Sequence, residues 1–314
     1  MKRFLTLICA AMMASATSVV AAGYPEKPVK LIVPAKAGGA LDTVARLISV
    51  QLEETLGVPF PVVNVKGGAS AIGIRQADDA DQDGYTMLVT HQQMLVIGAS
   101  GLLGFNPLDK FDGVGQTGLM ENYLVSYKGA PFSNIPELKA YAAANPGEVN
   151  AGVNIGGLGH LVMLQIADGL GADFNYVNVP GGGAAKLKSL LGEFTHVAIL
   201  GKGKFAGRDE LVPLAVLADE RSAAVPDTAS AGEEDFPARF QLAFWWMMGK
   251  GVPAEAKSVI EQALGDIMAK ESVQAEFVER GIDAPLHLNA AETSASLDEQ
   301  MANYAASVSA ISGN

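Results

Sequence analysis

The chain has 314 residues, of which 49% are hydrophobic, 18% charged and 7% aromatic. That apolar content excludes intrinsic disorder, and 35 Gly and 15 Pro without a three-residue period exclude a collagen-like repeat. Lys and Arg total 22 against 34 Asp and Glu, a formal charge of −12, which argues against nucleic acid and anionic lipid as partners, since both call for basic surface.

Lys2 and Arg3 precede an apolar run from Phe4 to Val20, and Val20-Ala21-Ala22 offers small residues to a signal peptidase. Residues 1–22 are therefore expected to be a cleaved secretory signal. The run falls short of the roughly 20 apolar residues that a membrane span needs. Losing Lys2 and Arg3 takes the formal charge from −12 to −14 and removes Cys9, the sole cysteine. The exported chain then has no disulfide and relies on a large core. A bacterial periplasm is the expected location.

In chain order, Val29–Val33 reads as a strand ended by Pro34 and Gly38-Gly39. A helix follows, with Val44, Ile48, Leu52 and Leu56 at i, i+4 steps and Gly57 as its stop. Pro61–Val65 is a second strand, completing a βαβ unit and implying a parallel sheet. Strands are then expected at 85–90, 149–153, 174–179, 196–200 and 211–218, and helices at 135–144, 160–170 and 184–191. The C-terminal part reads as helical, over 253–268, 273–280 and 291–311. The chain is α/β.

Three glycine-rich turns each join a strand to a helix: Pro34 to Asp42, Asn154 to His160, and Pro180 to Gly183. In a parallel sheet such turns lie at the carboxyl ends of the strands, where ligands bind. Missing β-carbons let backbone amides approach a ligand, and helix starts add unpaired donors and partial positive charge. Three converging turns would make a socket for a small anion. No turn spells a dinucleotide-binding G-x-G-x-x-G with its acidic partner, and no Walker sequence occurs.

Catalytic patterns are poor. His91, His160, His196 and His287 lack metal-ligand spacing, and Gly68–Gly73 is not a nucleophile elbow. Each histidine reads first as structural, with His91 and His160 retained as candidate ligand contacts. Trp245-Trp246 is expected to pack in the core.

Tyr24-Pro25-Glu26-Lys27-Pro28-Val29-Lys30-Leu31-Ile32-Val33-Pro34, followed by Gly38-Gly39, Asp42 and Ala45-Arg46, resembles the opening of a known family. Val65-Lys66-Gly67-Gly68, Asp83-Gly84-Tyr85-Thr86, Asn145-Pro146-Gly147, Gly159-His160-Leu161, Leu190-Leu191-Gly192 and Val225-Pro226-Asp227-Thr228 continue the match. The family is that of the substrate-binding receptors of tripartite tricarboxylate transporters, the Bug-type periplasmic receptors. The resemblance implies a two-lobed, type II-like flytrap fold, each lobe a mixed, mainly parallel sheet flanked by helices. It places lobe 1 at 23–124 and 231–314 and lobe 2 at 125–230. It also implies capture of a small carboxylate (di- or tricarboxylate, acidic amino acid or aromatic acid) between the lobes, without a cofactor, and delivery to the transporter's membrane permease subunits by a monomer. A membrane sensor kinase is the alternative partner, and a periplasmic enzyme acting on carboxylates is the least favoured reading.

The ligand-binding candidates are Ala35, Lys36, Ala37, Gly38, Gly39, Ala40 and Asp42 from the first turn, and Asn154, Gly156, Gly157 and His160 from the second. Gly181 and Gly182 of the third turn and His91 complete the set, with no catalytic or metal-binding residue. The chain departs from the family at Ala35-Lys36, where an aromatic and a proline or similar residue are usual, and at Gly181-Gly182, where an aromatic followed by a basic residue is common. Lys36 is accordingly expected to supply a cation to the pocket. Asp42 is expected to cap the first helix, so that Asp42→Asn costs little and Asp42→Ala loosens the turn.

Overall fold

The structure, a computed structural model, describes residues 23–312. The expected signal segment at 1–22 lies outside them. The first half is built on β1 (Lys30–Val33), α1 (Ala40–Leu56), β2 (Val62–Asn64), α2 (Ala71–Asp78), β3 (Thr86–Thr90) and α3 (Gln93–Ala99). β1 lies between β2 and β3, parallel to both. Its Leu31, Ile32 and Val33 are fully covered, as a central strand with helices on both faces demands. α1 lays Leu41, Val44, Leu47, Ile48 and Leu52 into the core, each burial contributing about 1.5–3 kcal/mol. Gly57 ends it in a left-handed conformation, its N–H donating to Glu53 O at 2.9 Å.

The second half contains β4 (Phe111–Tyr127), α4 (Ile135–Ala144), β5 (Val149–Val153), α5 (Leu158–Leu170), β6 (Phe174–Asn178), α6 (Gly183–Leu191), β7 (Val197–Gly201) and β8 (Leu211–Val216). β5 repeats the role of β1, lying parallel between β6 and β7. The chain then returns through β9 (Gln241–Gly249), α7 (Ala254–Met268), α8 (Glu271–Glu279) and α9 (Ala290–Ser312). Among the described residues, no helix is long and apolar enough to cross a membrane.

The strands run in the order β2-β1-β3-β9-β4-β7-β5-β6, with β8 also on β4. The 17-residue β4 joins the halves: Phe111 to Glu121 pair with β9, whereas Asn122 onward pairs with β7 and β8. Neither β4 nor β9 is expected from the sequence, and both are strands. β9 is almost wholly buried, so it has no alternation to betray it. β4 is interrupted by Gly113, Gly115 and Gly118, which read as breakers. In the fold they admit close neighbours: a β-carbon on Gly113 would stand 2.7 Å from Thr293 Cγ2, and one on Gly115 3.1 Å from Leu264 Cδ1. The tryptophans are core residues, and each indole finds a partner on β4. Trp245 Nε1 donates to Gln116 Oε1 at 2.9 Å and Trp246 Nε1 to Thr117 Oγ1 at 2.8 Å.

Candidate functional site

All three glycine-rich turns follow strands that run parallel within their half, β1, β5 and β6, and each opens a helix. The first turn is organised by Asp42, which is 4% exposed. Its Oδ2 accepts from Gly38 N at 2.8 Å, its Oδ1 from Asn64 Nδ2 at 2.9 Å, and Arg46 Nε donates to both oxygens at 3.0 and 3.1 Å. Burial alone would raise the Asp42 pKa, but hydrogen bonds from Arg46, Gly38 and Asn64 outweigh it and hold the carboxyl below its ordinary range. The helix N-cap is Gly39, so Asp42 stands in the first turn of α1 and is not its cap. Four donor contacts also leave no place for the NH2 of an Asn. Asp42→Asn is therefore not the mild change that the sequence suggests. With Asp42 engaged in this way, the amide hydrogens of Lys36, Ala37, Gly39 and Ala40 meet no acceptor among the described residues.

The second turn is mostly satisfied from within. Gly157 N donates to Asn154 O at 2.9 Å, and Gly156 N donates to His160 Nδ1 at 3.2 Å. His160 thus shapes the turn, with its ring packed edge-on against Tyr176 at 5.0 Å. Burial lowers its pKa and favours the neutral ring that can accept this bond. Gly156 (φ +76°) needs a residue without a side chain. The expectation that Gly156 and Gly157 offer free amides is not met, because both hydrogens are taken. Leu158 N is also taken, donating to Gln93 Oε1 at 2.9 Å, so α3 of the first half touches the amino end of α5 directly. Gln93 Nε2 is buried without an acceptor.

The third turn holds Gly181 at φ +124° and Gly182 at φ +74°, conformations that L side chains rarely adopt. The first turn reaches it: Lys36 Nζ lies 3.7 Å from where a β-carbon on Gly181 would stand. Lys36 is exposed and has no partner among the described residues. His91, at the end of β3, accepts from Gln93 N at 3.2 Å through Nδ1, and burial lowers its pKa to about 4, so the ring is neutral. The structure therefore gathers Lys36, the first turn, the α5 terminus and the third turn. It gives His91 and His160 organising roles within their own turns. Among the described residues, no His, Cys, Asp or Glu cluster could hold a metal.

Two participants escape sequence reading. Gln93 carries no motif. Lys186 sits in the first turn of α6, and a β-carbon on Gly159 of α5 would stand 3.0 Å from its Nζ. Its one sequence signal is a cation at a helix start, where the helix dipole disfavours it. A cavity of about 920 Å3, lined by Gln92, Glu121, Gln165, Arg221, Arg239 and Tyr304 among others, contains none of the glycine turns. Its arginines already pair with carboxylates, Arg239 with Asp219 at 2.6 Å and Arg221 with Glu233 at 2.8 Å.

Comparison with known proteins identifies the fold and the family. Protein BugT of Bordetella pertussis is 27% identical over 275 residues, 85% of this chain and 84% of its own. The R. palustris protein Rpa4515 with adipate has a TM-score of 0.83 at 23% identity, covering 92% of this chain and 98% of its own. MatC from Rhodopseudomonas palustris with bound malate has a TM-score of 0.79 at 22% identity, covering 91% and 100%. The fold is thus that of the two-lobed periplasmic binding proteins. The model of the tripartite tricarboxylate transporter family receptor matches residues 44–311. The chain belongs to this family of tripartite tricarboxylate transporter receptors, and is a solute-binding receptor and not an enzyme.

Proposed function

We propose that this receptor works in the periplasm, where it captures a small carboxylate between its lobes and hands it to the membrane permease subunits of a tripartite tricarboxylate transporter. In this reading residues 1–22 are the export signal, lobe 1 comprises 23–124 and 231–314, and lobe 2 comprises 125–230. The switch of β4 from β9 to β7 at Glu121–Asn122 supports that boundary. The ligand meets the segment Ala35 to Ala40 through the free amides of Lys36, Ala37, Gly39 and Ala40 and through the Lys36 ammonium, with Gly181 and Gly182 closing the opposite wall. Asp42, His91, Asn154, Gly156, Gly157 and His160 shape the turns around it.

One observation carries the reading: Lys36 Nζ of the first turn lies 3.7 Å from where a β-carbon on Gly181 of the third turn would stand, and neither it nor the amides of Lys36, Ala37, Gly39 and Ala40 meets an acceptor among the described residues. Adipate in Rpa4515 and malate in MatC support the carboxylate class. The formal charge of −12 gives an anion no long-range attraction, so affinity rests on short bonds in a closed cleft. A thermal-shift screen of malate, adipate and other small carboxylates tests this. A ligand at about 100 times its Kd stabilises the fold by about 2.7 kcal/mol, which raises Tm by about 5–10 °C. No shift with any carboxylate would refute the proposal.

A further inference from the structure

The amino end of α5 presents a charge arrangement that nothing among the described residues balances. Lys186 Nζ lies against Gly159, the second residue of α5, in space that a side chain there would occupy. No carboxylate pairs with it and no hydrogen bond is made by it among the described residues. Its surroundings are dry enough to lower its pKa to about 8. At the same helix end, Gln93 takes Leu158 N through Oε1 while its buried Nε2 lacks an acceptor, and the Gly159 amide hydrogen is unpaired among the described residues. An ammonium and a carboxamide donor thus both adjoin the first two residues of α5, and these groups and the helix N-terminus all call for negative charge. A fourth positive feature, Lys36, stands at Gly181 on the turn that opens Lys186's own helix.

We propose that Lys186 is a ligand-contacting residue whose ammonium pairs with an anionic group of the solute at the amino end of α5, and that together with Lys36 it makes the receptor select organic dianions over monoanions. This rests on the cleft being the carboxylate site. A solute with one carboxylate satisfies one of the two ammoniums and leaves the other desolvated. A dianion of suitable length satisfies both, so discrimination comes from the cost of the unpaired charge. Gly159 favours it, because a β-carbon there would stand 3.0 Å from the ammonium and crowd it.

The test is isothermal titration of the mature receptor with malate, adipate and the half-amide of each, which keeps the length and removes one charge. Wild type is expected to bind at least one of the two dianions about tenfold or more tightly than its half-amide. Lys186→Met is expected to weaken that dianion about tenfold or more while changing the half-amide less than about threefold, and Lys186→Arg to retain most of the preference. The empty Lys186→Met protein must melt no lower than wild type, which separates lost pairing from lost folding. Unchanged dianion affinity in Lys186→Met, or equal losses for dianion and half-amide, overturns the proposal and leaves the carboxylate receptor standing. If wild type binds none of the four compounds and no carboxylate shifts its Tm, the underlying reading falls with it.

Discussion

Asp42→Asn is the sharpest perturbation available to the first turn. The carboxylate is 4% exposed and receives Gly38 N, Asn64 Nδ2 and Arg46 Nε, all at 2.8–3.1 Å. An Asn keeps one acceptor oxygen and turns an NH2 toward either Gly38 N–H or Asn64 Nδ2, donor against donor. It also removes the counter-charge of Arg46. A charge-assisted bond contributes about 1.5–3 kcal/mol and a donor left without an acceptor costs about 1–3 kcal/mol, so the loss is about 3 kcal/mol. Over a chain of this size that lowers Tm by roughly 6–12 °C. Differential scanning calorimetry near neutral pH reads it directly. Because hydrogen bonds hold the folded carboxyl below its ordinary value of 3.8, the stability it contributes is present above that value and is lost as pH falls through the depressed one. The gap between wild type and variant should therefore shrink as pH falls below 3.8. Equal melting near neutrality, or a gap indifferent to acid, would refute the reasoning.

Four further outcomes are expected. Lys36→Gln should weaken carboxylate binding while leaving the circular dichroism spectrum and Tm unchanged; unaltered affinity for every carboxylate would remove Lys36 from the site. Lys186→Met should stabilise the empty protein. With burial lowering the folded pKa to about 8 from the ordinary 10.5, the penalty for the charged form is complete below the first and gone above the second, up to about 3 kcal/mol. The advantage of the variant should thus be largest near pH 7 and decline toward about pH 10. Gly182→Ala, at φ +74°, should cost about 1–3 kcal/mol and weaken ligand binding, as followed by urea denaturation and titration. Thr117→Val should leave the buried Trp246 indole N–H without its acceptor and cost about 1–3 kcal/mol in the same denaturation assay.

Much of the fold and part of the site are legible in the chain itself. The α1 stripe of Val44, Ile48 and Leu52 with its Gly57 stop, and the helix at Ile135–Ala144, are local patterns that packing then respects. So are the short buried strands beside glycine turns, because apolar spacing and φ-permissive residues act over a few positions. The glycines of the second and third turns likewise announce backbone that other residues cannot adopt.

The joining strands and the electrostatics of the site could be decided only by tertiary structure. β4 owes its extended form to pairing with β7, β8 and β9, and its glycines leave room for Thr293, Leu264 and Phe277 of helices more than a hundred residues away. Lys36 meets Gly181, Gln93 meets Leu158, and Lys186 meets Gly159 only once the sheet has brought its parallel strand ends together. Asp42 shows the same limit, since a carboxylate beside a glycine turn looks the same in sequence whether it caps a helix or collects donors from three segments. Propensity and periodicity are written residue by residue, whereas unpaired charge and unmet hydrogen bonds exist only between groups that folding has placed side by side and shielded from water.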